Sequence, residues 1–378
     1  MKILHVSSEI RYELGCAASL SNLGYDVYYL QIGPKIGIDS TEFRDISVFT
    51  DQGRSKVKYM ELPELFDAIL HPRGYVPKPI RDESFDVVIT TPTHPFYIAN
   101  YIAKKHKIPL ILRVWGVRPN KLIDNIMYGK KYSELLNLFP SILNNIYMVY
   151  SSKEVIALDD STSSFLKNIV VGRNIYKIYP TYSAIYEKCN KEIPSEISEL
   201  CESKDYVFTI IVNLKRWNDK LLFKILYMVS KKNPEIKFII AGTNINEVLK
   251  VFYPLPIPSN MHFLGGCEDY ELKVLYECAK LVVFPFFFRS VSNRLLESLF
   301  YGKPILTNSF AKICHNRLEH LYHVYISDRY DEYPNIVKQI IKDDILLEEL
   351  SLGARTAYRS FFSSKLHGLF MKKIIRGY

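Results

Sequence analysis

The sequence predicts an α/β protein built from two doubly wound, Rossmann-like parallel sheets that face a common cleft. Three observations support this prediction. Short apolar runs alternate with longer helical stretches, the alternation stops in a polar segment and then begins again, and a length of 378 residues suits two domains. Because strands that are apolar along their whole length are buried on both faces, both sheets should be parallel and covered by helices on each side.

The elements follow in order along the chain. The first domain, residues 1–182, should hold helices at 12–23 and 96–105 between short β-branched and aromatic strands. Its predicted strands cover residues 2–6, 26–30, 86–90, 110–114, 147–150 and 177–179. Residues 183–204 are charged and poor in apolar side chains, which is typical of an inter-domain linker.

The alternation begins again in the second domain, residues 205–362, with helices expected at about 220–231 and 271–279. Its predicted strands cover residues 206–212, 236–241, 261–264, 281–285 and 304–307. Ligands of such sheets bind beyond the carboxyl ends of the strands, so we expect both domains to present their sites to the cleft.

Composition excludes several classes of protein. Hydrophobic residues make up 48% and charged residues 24%, which is ordinary for a globular chain and excludes global disorder. The net charge of +9 suggests an anionic partner, but the basic excess is shared by both halves, and no nucleic-acid-binding module is visible. The basic runs at 104–107 and 355–378 have two interpretations: a solvated face, or attraction to a phosphate, an acidic glycan or an anionic membrane.

Targeting and metal signals are not found in the sequence. No run reaches the ~18 apolar residues that a bilayer span requires, and the apolar start is too short for a signal peptide. The six cysteines form no CxxC pair, and no HExxH motif occurs. We therefore predict a cytoplasmic protein without a structural or catalytic metal and without a cofactor, and the basic surface leaves open a peripheral contact with the inner face of the membrane.

The most informative segment is residues 261–308, MHFLGGCEDYELKVLYECAKLVVFPFFFRSVSNRLLESLFYGKPILTN. A strand ends at a Gly-Gly pair, where Gly266 permits close approach of a ligand to the backbone. A second strand leads to Ser290 and Asn293, just before a helix that begins near Arg294. Polar side chains there cap the helix, bind an anion at its positive end, or do both. Glu297 lies one turn into this helix, either as a surface residue or as an acceptor for ribose hydroxyls.

The pattern FLG…EL..LY..A.LVVFP…LLE…GKP in this segment resembles the donor-binding half of retaining, family 4-type glycosyltransferases of the GT-B fold. That family carries two glutamates eight positions apart, the second of which contacts the ribose of a nucleotide sugar. Glu297 matches the second position, whereas Arg289 stands at the first. Arg289 has three interpretations: contact with an acidic donor sugar, contact with the diphosphate, or loss of the sugar site. The resemblance also implies that residues 363–378 form a helix that crosses back to the first domain.

The resemblance implies further site residues. The segment NLKRWNDK falls where the family binds the diphosphate with a basic pair. Here that pair is Arg216 and Lys220, with Lys215 as the alternative. The simpler interpretation of these residues is a solvated loop. On the acceptor side, MKILHVSSE and the shortened loop at Gly15 resemble the family's opening strand and loop. His94 follows a strand end, where it contacts the acceptor, stabilises the transition state or is only structural, and Arg113 is a candidate contact for an anionic acceptor.

The resemblance implies transfer of a sugar from a nucleotide diphospho-sugar to a hydroxyl of a glycan, lipid or protein-linked acceptor, with retention of configuration and no metal ion. Three alternatives stay open. The first is a catalytically decayed nucleotide- or sugar-binding protein of the same fold, and the second is a nucleotide-sugar hydrolase or epimerase. A nucleic-acid binder is the weakest, since the charge is dispersed and no DNA- or RNA-binding module is visible, so we expect no nucleic acid as a partner.

Overall fold

The Val-, Ile- and aromatic-rich runs form two separate sheets in a computed structural model, and the predicted fold class is confirmed. The structure describes residues 1–8, 11–33, 42–62, 76–116, 122–124, 133, 135–185, 192–202, 206–289 and 292–377. The strands are β1 Lys2–Ser7, β2 Asp26–Ile32, β3 Arg44–Thr50, β4 Gly53–Leu62, β5 Val87–Thr90, β6 Leu110–Val114, β7 Glu154–Ala157, β8 Ile175–Lys177, β9 Ala184–Ile185, β10 Tyr206–Ile210, β11 Lys237–Ala241, β12 Met261–Gly265, β13 Leu281–Val283, β14 Ile305–Thr307 and β15 Tyr325–Ile326.

Helices separate most of these strands, as expected for crossover connections between parallel neighbours. The helices are α1 Arg11–Ser21, α2 Lys78–Asp82, α3 His94–His106, α4 Leu135–Ser151, α5 Asp160–Ile169, α6 Ser195–Glu202, α7 Trp217–Lys232, α8 Ile245–Phe252, α9 Asp269–Cys278, α10 Asn293–Phe300, α11 Phe310–Cys314, α12 Tyr333–Lys342, α13 Asp344–Ala357 and α14 Ser364–Ile375. None of the helices in the described ranges is long and apolar enough to cross a membrane.

The chain divides into two units. The first comprises residues 1–187, 289–291 and 361–378, and the second comprises residues 188–288 and 292–360. In the first unit the strands lie in the order β8-β7-β6-β5-β1-β2-β4-β3-β9, with β3 antiparallel to both of its neighbours. In the second unit the order is β12-β11-β10-β13-β14-β15, and the paired strands are parallel.

Alternate strand residues enter opposite cores. In β1, Ile3 joins the cluster on one face of the first sheet and Leu4 the cluster on the other. In β10, Val207 and Phe208 are divided between two clusters in the same way. Both sheets are therefore buried on two faces, as the continuous apolar strands indicated. The C-terminal helix α14 contributes Met371 to the first unit's core, so this part of the predicted fold is confirmed.

Two predicted strands were misplaced, and one hairpin was missed. Residues 147–150 end helix α4 instead of forming a strand, and the strand is β7, a few residues later. The strand predicted at 177–179 lies earlier, as β8. The β3–β4 hairpin was not predicted, although its alternating apolar residues and the positive φ of Gly53 (97°) are typical of a hairpin. Within residues 183–204, the described part forms β9 and α6.

Candidate functional site

The second sheet has a topological switch point between β10 and β13. Strand β10 lies between β11 and β13 in the sheet. The chain leaves β10 toward β11 and leaves β13 toward β14, which lies on the opposite side. Their carboxyl ends lead into the turn before α7 and the loop before α10. In open α/β sheets the crevice at such a point is where ligands bind. Most of the predicted donor-site residues lie here.

The turn after β10 is held by a buried carboxylate. Asp219 Oδ2 accepts a hydrogen bond from the backbone N–H of Asn213 at 2.9 Å, and Asn213 Oδ1 accepts one from the backbone N–H of Lys215 at 2.9 Å. These bonds place Arg216 at the N-cap of α7, with its side chain and that of Lys215 exposed and that of Lys220 half-buried. None of these three cations forms an ion pair with a described residue, so all three are available to an anion.

Arg294 is arranged differently from the other predicted cations. Ser292 caps α10 by accepting a hydrogen bond from the backbone N–H of Leu295, which makes Asn293 the first helical residue. The Arg294 guanidinium then lies 3.7 Å from Asp219 and 4.7 Å from the centre of the Phe284 ring. The buried carboxylate of Asp219 thus balances the charge of Arg294, and the pair connects α10 to the turn before α7.

Glu297 is almost completely buried, with 1% of its surface exposed. Its Oε2 accepts a hydrogen bond from the Tyr276 hydroxyl of α9 at 2.8 Å, and the Tyr276 ring stacks on Tyr301 at 5.3 Å. The sequence left two interpretations, a surface glutamate and an acceptor for ribose hydroxyls. The structure shows a buried carboxylate that Tyr276 orients, one turn inside the helix start.

Arg289 belongs to the first unit, although it precedes α10 in the sequence. Its Nε and backbone N–H donate to the carboxylate of Asp124 at 2.9 and 3.0 Å, and its Nη2 lies 2.8 Å from Asp124 Oδ1. Asp124 is fully buried, whereas the Arg289 side chain remains 30% exposed. The structure therefore gives Arg289 a carboxylate partner that the sequence did not suggest. Ser290 lies outside the described residues.

Glycines shape the carboxyl ends of β11 and β12. Gly266 is exposed, and a Cβ atom built on it would meet nothing within 4 Å, so the structure leaves room there for close approach of a ligand. Gly242, which the sequence analysis missed, has φ +89° and would place a Cβ 2.6 Å from the carbonyl oxygen of Ile211. Only glycine fits that position, at the end of the strand beside β10.

The first sheet has its own switch point, between β1 and β5. The hydroxyls of Ser7 and Thr91, at the carboxyl ends of these strands, lie 3.2 Å apart. His94 is the first residue of α3, just after these strand ends. It follows Thr93, which has a positive φ of 74°. The structure thus places the half-buried His94 at the carboxyl edge of this sheet, where the sequence located it.

Arg113 does not lie on a surface. It is fully buried in a polar cluster, where its Nε donates to Glu13 at 2.7 Å and its Nη1 lies 3.1 Å from Nε2 of His367 in α14. The predicted direct contact of Arg113 with an acceptor is therefore not supported, because no part of its side chain reaches solvent. Gly15, predicted in an acceptor loop, lies inside α1, where a Cβ would come within 2.7 Å of the Thr181 carbonyl oxygen.

Burial and charge pairing determine the pKa values in this cluster. Burial raises the pKa of Glu13, but Arg113 and a contact of 2.7 Å with His5 outweigh that effect and lower it to about 2. Burial and the charge of Arg113 lower the pKa of His367 to about 3. His367 Nδ1 lies 2.8 Å from the Tyr179 carbonyl oxygen, so a neutral ring donates there and accepts from Arg113 through Nε2. The ionised Glu13, the Arg113 guanidinium and the neutral imidazole of His367 together hold α14 against the first sheet.

Sequence reasoning missed Asp219 and Tyr276, which organise the site of the second unit, and Asp124, which pairs with Arg289 in the first unit. Asp219 carries a usable signal, because a carboxylate in the first turn of a helix commonly accepts a hydrogen bond from the preceding turn. Asp124 and Tyr276 carry no such signal, since each contacts a residue distant in the sequence. Among the described residues, no group of three or more His, Cys, Asp or Glu side chains is placed to hold a metal ion.

The second unit is similar to a known family of proteins. Residues 207–343 match the model of the family described as glycosyl transferases group 1. By sequence, no curated protein matches the chain.

Solved structures match along the whole chain. One is HepE of Anabaena in complex with UDP and glucose, which is 15% identical over 100% of both chains with a TM-score of 0.66. Sucrose-phosphate synthase from Thermosynechococcus elongatus is 9% identical over 100% of this chain and 98% of that chain, with a TM-score of 0.70. A glycosyltransferase from Rickettsia africae is 13% identical over 100% of this chain and 98% of that chain, with a TM-score of 0.62. The chain therefore has the GT-B fold, and its residues 207–343 are similar to the glycosyl transferases group 1 family.

Proposed function

We propose that this chain is a retaining glycosyltransferase that moves a sugar from a nucleotide diphospho-sugar to a hydroxyl acceptor without a metal ion. The observation that carries the proposal is the group of cations at the start of α7. Lys215, Arg216 and Lys220 lie beside the switch point of the second sheet and have no carboxylate partner among the described residues. A diphosphate is the ligand that such a group fits best, since it brings about two negative charges to one place.

The reaction needs little from the protein besides this charge. The bond between the anomeric carbon and the diphosphate oxygen breaks, and the developing negative charge is stabilised by Arg216, Lys220 and the start of α10. The acceptor hydroxyl forms the new bond on the same face of the sugar, and its proton passes to the departing phosphate. No protein nucleophile takes part. His94, at the equivalent edge of the first unit, is the candidate for contact with the acceptor or the transition state.

The other candidate site residues of the second unit, Glu297, Gly266 and Asn293, position the donor. Glu297, oriented by Tyr276, is the candidate acceptor for the ribose hydroxyls. Gly266 allows the donor to approach the backbone, and Asn293 adds a polar side chain at the positive end of α10. Because fixed cations and a helix end neutralise the diphosphate, we expect binding to persist in EDTA.

The first experiment is calorimetric titration with UDP-glucose in EDTA, chosen because HepE of Anabaena was solved in complex with UDP-glucose. Guanosine and adenosine diphospho-sugars form the comparison series. Loss of one charge-assisted contact costs about 1.5–3 kcal/mol, so Arg216→Ala and Lys220→Ala should each weaken binding roughly 10- to 100-fold. Lys231→Ala, at the other end of the same helix, is the matched control. Equal affinities for all three variants and the wild type would refute the proposed donor site.

One observation favours a second candidate, a nucleotide- or sugar-binding protein without transfer activity. Arg289 stands where the family 4-type glycosyltransferases have their first glutamate. Its guanidinium is paired with the carboxylate of Asp124. Product analysis with and without a panel of hydroxyl acceptors distinguishes the candidates. Transfer with retained anomeric configuration supports the proposal. Binding without any turnover supports the second candidate, and donor consumption without acceptor indicates a hydrolase or an epimerase.

A further inference from the structure

Helix α4 exposes a row of large apolar side chains to solvent and buries two polar side chains on its opposite side. Ser141 and Asn145 are buried, and the Asn145 amide donates to the Ser141 carbonyl oxygen at 2.7 Å. On the opposite side, Leu136 is 85% and Phe139 68% exposed. We define the apolar ridge as the large exposed side chains of this helix: Leu136, Phe139, Leu143, Tyr147 and Tyr150.

The ridge is continuous and long. Its members recur at three- and four-residue spacing, which puts them on one side of a helix, and the rise of ~1.5 Å per residue makes the ridge about 21 Å long. None of the 17 residues of α4 is charged. A water-exposed helix normally carries its charged residues on this face, so the pattern indicates a surface that is covered in use.

A group of cations adjoins the Tyr150 end of the ridge. We define the basic groove as the depression lined by Lys104, Lys107, Lys153, Arg173 and Tyr150, with a volume of about 560 Å³. The Arg173 guanidinium lies 5.7 Å from the centre of the Tyr150 ring and donates to the Tyr150 carbonyl oxygen at 2.8 Å, which joins the groove to the ridge. No acidic residue is among the described residues that line the groove.

We propose that the apolar ridge and the basic groove together form a docking surface for an anionic lipid bilayer. Leucine and phenylalanine at one end of α4 enter the boundary between headgroups and acyl chains, and tyrosines are suited to the headgroup level because they are apolar with a polar tip. Cations at the other end attract anionic headgroups. A second copy of this chain fits less well, because α4 offers no carboxylate to the cations beside it.

The basic groove lies at the edge of the sheet opposite the candidate acceptor edge. Lys107 and Lys153 precede β6 and β7, so the groove lies at the amino ends of these strands. His94 follows β5 at the opposite, carboxyl edge of the same sheet. The proposal concerns only the first unit and does not rest on the proposed function, since it makes no use of the donor site.

The test is flotation of the full chain with vesicles of phosphatidylcholine, with and without phosphatidylglycerol. We expect binding to the anionic vesicles, weaker binding to the neutral ones, and loss of binding as salt rises. The double variant Leu136→Ser/Phe139→Ser removes ridge side chains, and Lys107→Glu/Lys153→Glu reverses groove charges. Each should lower the partition coefficient by about tenfold or more.

Matched controls keep the test specific. Ile345→Ser/Leu352→Ser removes two exposed apolar side chains from α13, and Lys231→Glu/Lys232→Glu reverses two exposed charges of α7, so both should bind as the wild type does. Hydrogen exchange of the wild type with vesicles should slow at residues 136–150. The proposal is overturned by absence of vesicle binding, by equal effects of ridge and control variants, or by a vesicle-free dimer that Leu136→Ser/Phe139→Ser dissociates, which would assign the ridge to a second copy.

Discussion

Nη2 of Arg294 lies 3.7 Å from Oδ1 of Asp219, and this pair connects the helix after β13 to the turn after β10. The two segments flank the switch point of the second sheet. Since Asp219 also accepts from the Asn213 backbone N–H at 2.9 Å, one buried carboxylate orients the cation-bearing turn and the helix start together.

The first prediction concerns Asp219. Asp219→Ala leaves the Asn213 amide without its acceptor and Arg294 without its counter-charge, so we expect a loss of about 1–3 kcal/mol in the free energy of unfolding. Nucleotide-sugar affinity should fall as well. Chemical denaturation and calorimetry measure the two effects. Asp219→Asn, which keeps an acceptor, should lose less stability than Asp219→Ala, and a similar loss in both variants would contradict this account.

The second prediction concerns Arg289 and Asp124. If the arginine serves mainly to pair the buried carboxylate, Arg289→Ala and Asp124→Ala should each destabilise the protein, and the double variant should cost less than their sum. A coupling of about 1–3 kcal/mol in a double-mutant cycle is expected. Additive losses, together with weaker donor binding in Arg289→Ala alone, would show instead that Arg289 acts on the donor.

The third prediction compares two glycines. Gly15→Ala forces a Cβ to within 2.7 Å of the Thr181 carbonyl oxygen, so we expect a loss of about 1–3 kcal/mol in unfolding free energy. Gly266→Ala meets nothing within 4 Å and should stay within ~0.5 kcal/mol of the wild type. Its nucleotide-sugar affinity should nevertheless fall, because a donor that lies against this backbone meets the new methyl group. Unchanged affinity would exclude Gly266 from the donor site.

The fourth prediction concerns pH. The pKa of His367 is lowered from 6.5 to about 3, so between these values the unfolded chain binds a proton that the folded chain does not. Its contribution to stability is therefore complete above pH 6.5 and falls by about 1.4 kcal/mol per pH unit on acidification. His367→Asn, which keeps the donor to Tyr179, should show a shallower decline from pH 6.5 to pH 5 in urea denaturation. Parallel curves for the two proteins would contradict the buried neutral imidazole.

Local patterns were sufficient to predict most of the framework. The β1, β5, β6, β10 and β11 strands follow from apolar β-branched runs, and the helix start at Asn293 follows from the polar residues before it. The error at residues 147–150 has a physical reason. That run resembles a buried strand, but it is the end of a helix that buries Met148 and Val149 and exposes Tyr147 and Tyr150. A short apolar run alone does not distinguish these two cases.

The candidate site was only half predictable. Arg216, Lys220 and Gly266 lie near strand ends, where motif and spacing placed them. The burial of Glu297 against Tyr276, and the pairing of Arg289 and Arg294 with buried aspartates, depend on contacts between segments far apart in the sequence. Such contacts determine which cations stay available to a ligand. Arg289 and Arg294 each have a buried aspartate as partner, whereas Lys215, Arg216 and Lys220 have no carboxylate partner among the described residues.

The placement of α14 has a consequence for synthesis of the chain. Met371 and Ile375 belong to the same core cluster as Ile3 and Leu14, and His367 completes the polar cluster around Arg113. Domains usually fold in order as they leave the ribosome, N-terminal first. Here the first unit cannot complete its core until residue 375 has emerged, so the second unit is free to fold earlier. Ribosome-bound chains that lack residues 361–378 should therefore leave the first unit sensitive to protease while the second unit is already resistant.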